Sequence, residues 1–148
     1  MKIHLSTLVK GDYQAVFRQF DEKLLNYLKP SFPPAQIVAF GGSSKGNKVH
    51  LRLSFVFFSQ EWVSAITEEK ITEKAAYFTD EGVQLPFFLS QWKHQHLVEK
   101  QGENAVIQDI IEFKTPFFLL DYLMYPVLYL QFRQRKPKYQ GFFGKVSP

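Results

Sequence analysis

Alternating apolar and polar positions predict that the chain begins with a β-strand. The alternation covers residues 3–9 and stops at the turn signal Gly11-Asp12. From Val16 to Leu28 apolar residues recur instead at helical spacing, up to Pro30. A break near Asp21 would divide this second segment into two short helices.

Six more strand-like runs follow, over residues 37–40, 49–57, 62–69, 75–79, 87–99 and 105–113. Turn-forming segments lie between them, among them the glycine-rich loop 41–48, Ser59-Gln60, Asp80-Glu81-Gly82 and residues 101–104. Consecutive strands joined by short turns favour an antiparallel sheet. The sequence therefore predicts an α+β domain with about seven strands.

The pattern becomes helical after Pro116. A helix is predicted over residues 117–136, because the residue before Pro137 avoids helical backbone geometry. Pro126 removes one hydrogen bond inside this helix and is expected to kink it, so that its two halves could bend over a curved surface. We interpret residues 1–138 as one domain and residues 139–148 as a loose C-terminal tail.

The run 87–99 has two chemically different faces. In an extended strand Gln91, Lys93, Gln95 and Glu99 point to one side, which is polar. The other side gathers aromatic and imidazole groups, carried by Phe88, Ser90, Trp92, His94, His96 and Val98. A sheet places such a face against a core or a cavity wall, and the pattern alone leaves both open.

Composition narrows the classes of function. The absence of cysteine excludes disulfides and thiolate sites and favours a reducing cytoplasm. The first residues also lack the apolar core of a secretory signal. The net charge of +4 depends on five basic residues near the C-terminus, which does not indicate a nucleic-acid binder. These five are Arg133, Arg135, Lys136, Lys138 and Lys145.

The apolar segment 116–132 does not predict a membrane span. It contains Asp121 and Pro126 and reaches charge at Arg133, whereas a span needs about twenty apolar residues. Stable insertion is therefore not expected. A transient contact of this helix and its basic end with an anionic membrane stays compatible with the sequence.

With these elements the chain resembles the SRPBCC superfamily, which includes START-like, polyketide-cyclase-like and birch-pollen-allergen-like proteins. The resemblance runs from Met1 to about Lys138 and rests on four segments. These are the glycine hairpin 41–48, Trp92-Lys93-His94-Gln95-His96, the strand 106–113 followed by Pro116, and Phe132-Arg133-Gln134-Arg135. It implies a helix-grip fold, in which a curved antiparallel sheet wraps a long C-terminal helix and two short helices follow the first strand. It also implies a deep cavity between sheet and helix for an apolar molecule.

The leading functional hypothesis is binding of a small hydrophobic ligand of lipid, polyketide or aromatic type, with no cofactor. The predicted ligand-binding residues are Phe55, Phe57, Trp62, Tyr77, Phe88, Ser90, Trp92, His94, His96, Asp109, Leu123 and Val127. Arg52 is a further candidate for holding a polar end of the ligand. The sequence gives neither the ligand nor the oligomeric state.

Two other functions stay open. His94, His96 and Asp109 could serve acid-base chemistry in a cyclase- or hydrolase-like enzyme, since burial and a carboxylate can move an imidazole pKa toward working pH. No nucleophile or oxyanion site is readable beside them, so a non-enzymatic role is favoured. The other possibility is an interaction module whose cavity is closed by phenylalanine side chains.

A metal site would need a third ligand besides His94 and His96. The candidates in the sequence are His4, His50, Asp109 and Glu112, and no pattern shows that any of them converges on the histidine pair. The sequence therefore predicts no metal site.

Overall fold

One seven-stranded antiparallel sheet carries all four helices of the molecule. The computed structural model describes residues 1–148. The strands are β1 (Lys2–Lys10), β2 (Ala35–Phe40), β3 (Lys48–Ser54), β4 (Ser59–Ile71), β5 (Ala75–Gln84), β6 (Gln91–Gln101) and β7 (Asn104–Lys114). The helices are α1 (Tyr13–Arg18), α2 (Glu22–Leu28), α3 (Phe118–Arg133) and α4 (Arg135–Phe143).

The strand order in the sheet is β1-β7-β6-β5-β4-β3-β2. The strands from β2 to β7 follow one another as hairpins. The N-terminal strand β1 pairs with β7, so that β1 and β2 are the two edge strands of the sheet. The predicted seven strands and α+β class are confirmed. The glycine-rich loop 41–47 joins β2 to β3 as a hairpin connection.

Two aspartates explain why the helical region after β1 is divided. The Asp12 carboxylate accepts hydrogen bonds from the backbone N–H groups of Gln14 and Ala15, which begins α1. The Asp21 carboxylate accepts from the N–H of Leu24 at 3.0 Å and begins α2. Each carboxylate satisfies N–H groups that have no partner inside the helix. The predicted break at Asp21 is confirmed.

Several strand boundaries differ from the prediction. β3 ends at Ser54, so that residues 55–58 form the turn before β4. Asp80-Glu81-Gly82 lies inside β5 and is not a turn, because Asp80 pairs directly with His94 and its carboxylate is satisfied across the sheet. Residues 87–90 lie in the connection between β5 and β6, since Pro86 lacks the N–H that a strand ladder needs.

The C-terminal prediction is wrong in two respects. The chain does not end its helices at Lys136, because α4 begins at Arg135 and carries Pro137 in its first turn, where the missing N–H would have no partner in the helix. Residues 139–143 are not a loose tail, since Tyr139 is fully buried. Gly141 lets α4 approach α2, because a Cβ there would lie 2.8 Å from the Tyr27 hydroxyl.

Two hydrophobic clusters divide the helix-facing side of the sheet. The first, which we term the closed end, contains 14 buried residues from α1, α2, Tyr139 of α4 and the adjoining strand ends. The second, the open end, contains 7 buried residues, among them Trp92, Leu128 and Phe132, together with eight that are only partly buried. None of the four helices has the length and apolar run that a membrane crossing needs.

Candidate functional site

A buried polar network crosses the middle of β5, β6 and β7. Asp80 on β5 lies directly opposite His94, and His96 lies directly opposite Asp109 on β7. His94 and His96 share one face because side chains two apart on a strand point the same way. The structure thus brings together His94, His96 and Asp109, which the sequence singled out, and adds Asp80.

Asp109 is held by groups from two different elements. The His94 Nε2–H donates to Asp109 Oδ1 at 2.8 Å, and the Tyr139 hydroxyl of α4 donates to the same oxygen at 3.3 Å. The Arg135 guanidinium lies 3.8 Å from that oxygen. Burial alone would raise the pKa of Asp109, but the His94 hydrogen bond and the Arg135 charge outweigh burial and lower this pKa to about 2.

His94 is a neutral imidazole at pH 7. Burial lowers its pKa to about 4, although Asp109 and Asp80 act in the opposite direction. Because the Nε2–H is used by Asp109, the other ring nitrogen, Nδ1, carries a lone pair. That nitrogen faces Asp80 Oδ2 at 3.7 Å.

Asp80 receives two hydrogen bonds. The Trp92 Nε1–H donates to Asp80 Oδ1 at 3.1 Å, and His96 Nε2 lies 2.8 Å from Asp80 Oδ2. Burial would raise the pKa of this carboxyl, but the His96 hydrogen bond and the imidazoles hold it below its usual range. Sequence reasoning missed Asp80 because Asp-Glu-Gly is typical of a turn. The signal that could have found it is its alternation with the core residues Ala76 and Phe78 on β5.

Other polar candidates lie on the opposite face of the sheet. His4 and Glu112 are exposed, and His4 contacts Gln108. His50 and Arg52 both pair with Glu61, with an Arg52 Nε to Glu61 Oε1 distance of 2.7 Å. Of the four predicted third metal ligands, only Asp109 therefore approaches the histidine pair, and Arg52 is not placed to hold a ligand between sheet and helix.

An aromatic wall joins the network to α3. The Trp62 and Trp92 rings meet edge to face with centroids 4.7 Å apart, and Trp92 lies 5.8 Å from the Phe132 ring of α3. Trp62 also belongs to a row of apolar side chains that crosses the sheet. It pairs directly with Leu51, and Leu51 pairs directly with Ile37. These three side chains are only partly buried, since the helices pack mainly on β1 and β5–β7.

Half of the sixteen phenylalanines lie in or beside the connections that follow β3, β5 and β7 and the segment that precedes β2. These four segments are neighbours, since the Phe55 and Phe87 rings are 6.2 Å apart, the Ser90 hydroxyl donates to the Thr115 carbonyl, and the Ser54 N–H donates to the Pro34 carbonyl. These connections contain no acidic residue, and Phe57 is 94% exposed. The eight phenylalanines are Phe32, Phe55, Phe57, Phe58, Phe87, Phe88, Phe117 and Phe118.

The remaining predicted ligand contacts are scattered. Phe55 and Phe88 meet edge to face with centroids 6.4 Å apart, and the Ser90 hydroxyl donates to the Thr115 carbonyl. Tyr77 lies on the face opposite to Asp80, three positions away on the same strand.

On α3, the side that bears Leu128 and Phe132 packs on the sheet. Leu123 and Val127 lie on the other, exposed side, and Leu123 is 65% exposed. The structure therefore does not bring Tyr77, Leu123 or Val127 to the network.

The enclosed space between sheet and helix is small. A cavity of about 120 Å³ lies between β1 and the C-terminal helices and is lined by Leu5, Thr7, Asp109, Tyr129 and Phe132 among others. Pockets for drug-sized ligands have volumes of roughly 300–1,000 Å³. The cavity found between the sheet and the C-terminal helices is thus much smaller than the expected deep one, and the open row beside it offers further apolar surface to a ligand.

Solved structures share this architecture at low sequence identity. Protein CV1439 from Chromobacterium violaceum superimposes with a TM-score of 0.70 at 13% identity, covering 99% of this chain and 99% of that chain. Norcoclaurine synthase from Thalictrum flavum, in complex with dopamine and hydroxybenzaldehyde, gives 0.64 at 13% identity, over 99% and 89% of the two chains. The Zhui aromatase/cyclase from Streptomyces sp. R1128 gives 0.64 at 10% identity, over 96% and 92%.

The chain has the fold of these structures, the helix-grip fold. Neither a protein-family model nor the sequence of a curated protein matches it. The expected fold is therefore confirmed by structural similarity, and at these identities the similarity extends to the fold alone.

Proposed function

We propose that the protein binds a small hydrophobic ligand in an open groove on the helix-facing side of β2–β4. The floor of this groove is the row Ile37, Leu51 and Trp62, and Trp92 borders it toward the buried network. Phe55 and Phe88 lie at its phenylalanine-rich end. The observation that carries the proposal is this row of partly exposed apolar side chains on a face that a helix-grip fold normally directs inward.

Aromatic or other flat apolar molecules suit this groove best. Edge-to-face rings such as Trp62 and Trp92 offer a third ring both apolar area and favourable quadrupole contacts. The norcoclaurine synthase structure holds dopamine and hydroxybenzaldehyde, which supports aromatic ligands for this fold. Each fully buried leucine-sized contact contributes about 1.5–3 kcal/mol, so a few such contacts suffice for micromolar binding.

The test uses the two tryptophans as reporters, since both border the proposed groove. Titration with 1-anilinonaphthalene-8-sulfonate should quench tryptophan fluorescence and saturate. Leu51→Ser should weaken binding about tenfold, because one apolar contact is replaced by a polar one. Far-UV circular dichroism checks that the variant is folded.

Ile71→Ser provides a matched control, because Ile71 is an exposed apolar residue at the far end of β4. This variant should bind the probe as the wild type does. Equal weakening in both variants, or no effect of Leu51→Ser, would refute the groove as the binding surface.

The alternative function, acid-base catalysis by His94, His96 and Asp109 in a cyclase- or hydrolase-like enzyme, has less support. The His94–Asp109 pair has the form of a general base with its orienting carboxylate. However, His94 is buried, and its pKa of about 4 makes it a weak base at neutral pH. Turnover of an aromatic aldehyde and amine that is abolished by His94→Gln would favour the enzyme instead.

The remaining predictions concern the cellular setting. A cytoplasmic location, the absence of a nucleic-acid partner and a transient contact with membranes stay predictions from the sequence. The exposed phenylalanines beside the groove are compatible with delivery of an apolar ligand at a membrane surface.

A further inference from the structure

A ring nitrogen of His94 and the Asp80 carboxylate approach each other inside the polar network. His94 Nε2–H donates to Asp109, and His94 Nδ1, on the other side of the ring, lies 3.7 Å from Asp80 Oδ2. The Trp92 Nε1–H occupies the other oxygen of Asp80 and turns Oδ2 toward the imidazoles. A carboxylate oxygen and a ring nitrogen that are this close in a buried place can share a proton or a metal cation.

The third ligand atom is His96 Nε2, which is hydrogen-bonded to Asp80 Oδ2 at 2.8 Å and would give up that proton when a metal binds. All three ligand atoms lie within 4.8 Å of one another. In a tetrahedral zinc site with bonds of 2.0–2.1 Å, neighbouring ligand atoms are about 3.4 Å apart. The measured separations of 2.8 and 3.7 Å from Oδ2 bracket this value, so small side-chain movements would admit an ion.

We propose that Asp80 Oδ2, His94 Nδ1 and His96 Nε2 form a binding site for a divalent transition metal such as Zn²⁺ or Fe²⁺. Two histidines and one carboxylate are a ligand set that binds both ions and leaves coordination positions open. A cysteine-free N₂O set does not favour copper(I) or an iron–sulfur cluster.

Two of the three proposed ligands have outer partners of the kind that metal sites use, whereas His96 Nδ1 is buried without a hydrogen-bond partner. Metal-ligating histidines donate their second N–H to a carboxylate, which fixes the tautomer and the ring orientation. Asp109 does this for His94 and is itself held by Tyr139 and Arg135. Trp92 orients the Asp80 carboxylate in the same way.

Charge and access are also consistent with a cation. Arg135 is the only lysine or arginine that pairs with either carboxylate, and it lies beside Asp109, so Asp80 has no lysine or arginine partner. The side chains of Asp80 and His96 keep 13% and 12% of their exposure, whereas His94 keeps 3%. An ion would therefore enter on the side of Asp80 and His96.

The experiment uses untagged full-length protein treated with EDTA and then dialysed. Calorimetric titration with Zn²⁺ should give one site per chain, and Co²⁺ should produce visible absorption bands of a low-coordinate site. His96→Ala and the isosteric Asp80→Asn should each weaken Zn²⁺ binding at least 100-fold. Asp109→Asn, which touches no metal, should weaken binding about 10- to 100-fold.

His50→Ala is the matched control, because His50 also pairs with a carboxylate but lies on the other face of the sheet. This variant should bind Zn²⁺ as the wild type does. The proposal is overturned if the wild type shows no stoichiometric binding, if Asp80→Asn retains it, or if His50→Ala loses it. The titration involves no apolar ligand, so its failure would leave the groove proposal untouched.

Discussion

The closed end and the open end of the grip differ in how completely the sheet is covered. At the closed end α1, α2 and Tyr139 pack on the sheet and form a cluster of 14 buried residues, in which the Phe20 ring contacts the Phe78 and Tyr139 rings. At the open end only 7 residues are buried and eight more are partly exposed. One face of the sheet therefore carries a fully packed core and, beside it, an apolar surface that is partly exposed.

The polar network lies at the boundary between these two regions. The His96 ring stacks on Phe78 of the closed end with centroids 4.3 Å apart. The His94 ring meets Phe132 of the open end at 5.3 Å, edge to face. Both imidazoles and both aspartates are thus shielded by rings from two sides, which strengthens their mutual hydrogen bonds and makes each of them costly to remove.

The largest loss of unfolding free energy is expected when the Asp109 carboxylate is removed from this network. Asp109→Ala leaves the His94 N–H, the Tyr139 hydroxyl and the Arg135 charge without their acceptor in a buried place. Loss of one partner of a buried ionic network costs about 3–5 kcal/mol of unfolding free energy. Urea denaturation followed by circular dichroism measures this loss.

Glu112→Ala is the control for Asp109→Ala. Glu112 lies on the same strand but points to the other face, where it makes only an exposed ion pair with Lys2 at 3.7 Å. Its removal should change the unfolding free energy by less than about 0.5 kcal/mol. Similar losses in the two variants would show that the network does not contribute to stability as described.

A second, somewhat smaller loss of unfolding free energy is expected on acidification. His94 has a pKa of about 4 in the folded protein against 6.5 for the free imidazole, so the unfolded chain takes up a proton that the folded protein does not. Stability is therefore fully present above pH 6.5 and falls as the pH drops from 6.5 to 4, by about 3 kcal/mol in total. Below pH 4, protonation of Asp109, whose folded pKa is about 2, should reduce it further.

Urea unfolding at several pH values between 7 and 4, in the presence of EDTA, checks this dependence. In His94→Gln the fall between pH 6.5 and 4 should be much smaller, since the titrating group is gone. A wild-type stability that is level over this window would contradict the assignment of a buried, neutral His94.

The sequence predicted the closed end less well than the sheet. Strand periodicity and the caps at Asp12 and Asp21 are local signals, and they gave the seven strands and the divided helix. The burial of Tyr139 depends on contacts with β1, α1 and the distant Asp109, and no local sequence pattern predicts these contacts. Pro137 instead favoured a helix that ends at Lys136, with a loose tail over residues 139–148.

Part of the candidate site was predictable for the same physical reason. His94 and His96 share a face by strand alternation, whereas the approach of Asp109 depends on the register of β7 against β6, which the sequence pattern left open. Asp80 was missed because an Asp-Glu-Gly segment is locally typical of a turn, whereas its pairing with His94 overrides that preference. Leu123 and Val127 were misplaced because α3 is apolar on all sides, so its pattern does not say which side faces the sheet.

The smallest expected change in unfolding free energy is found by making the same leucine-to-alanine substitution at the closed end and on the exposed side of α3. Leu24→Ala removes a buried side chain of the closed end and should lower the unfolding free energy by at least about 2 kcal/mol, because the cavity left behind adds to the lost burial. Leu123→Ala removes an exposed side chain of α3 and should change it by less than about 0.5 kcal/mol. Equal losses in urea denaturation would mean that α3 buries Leu123 in solution, and the open end would then be a closed core like the other.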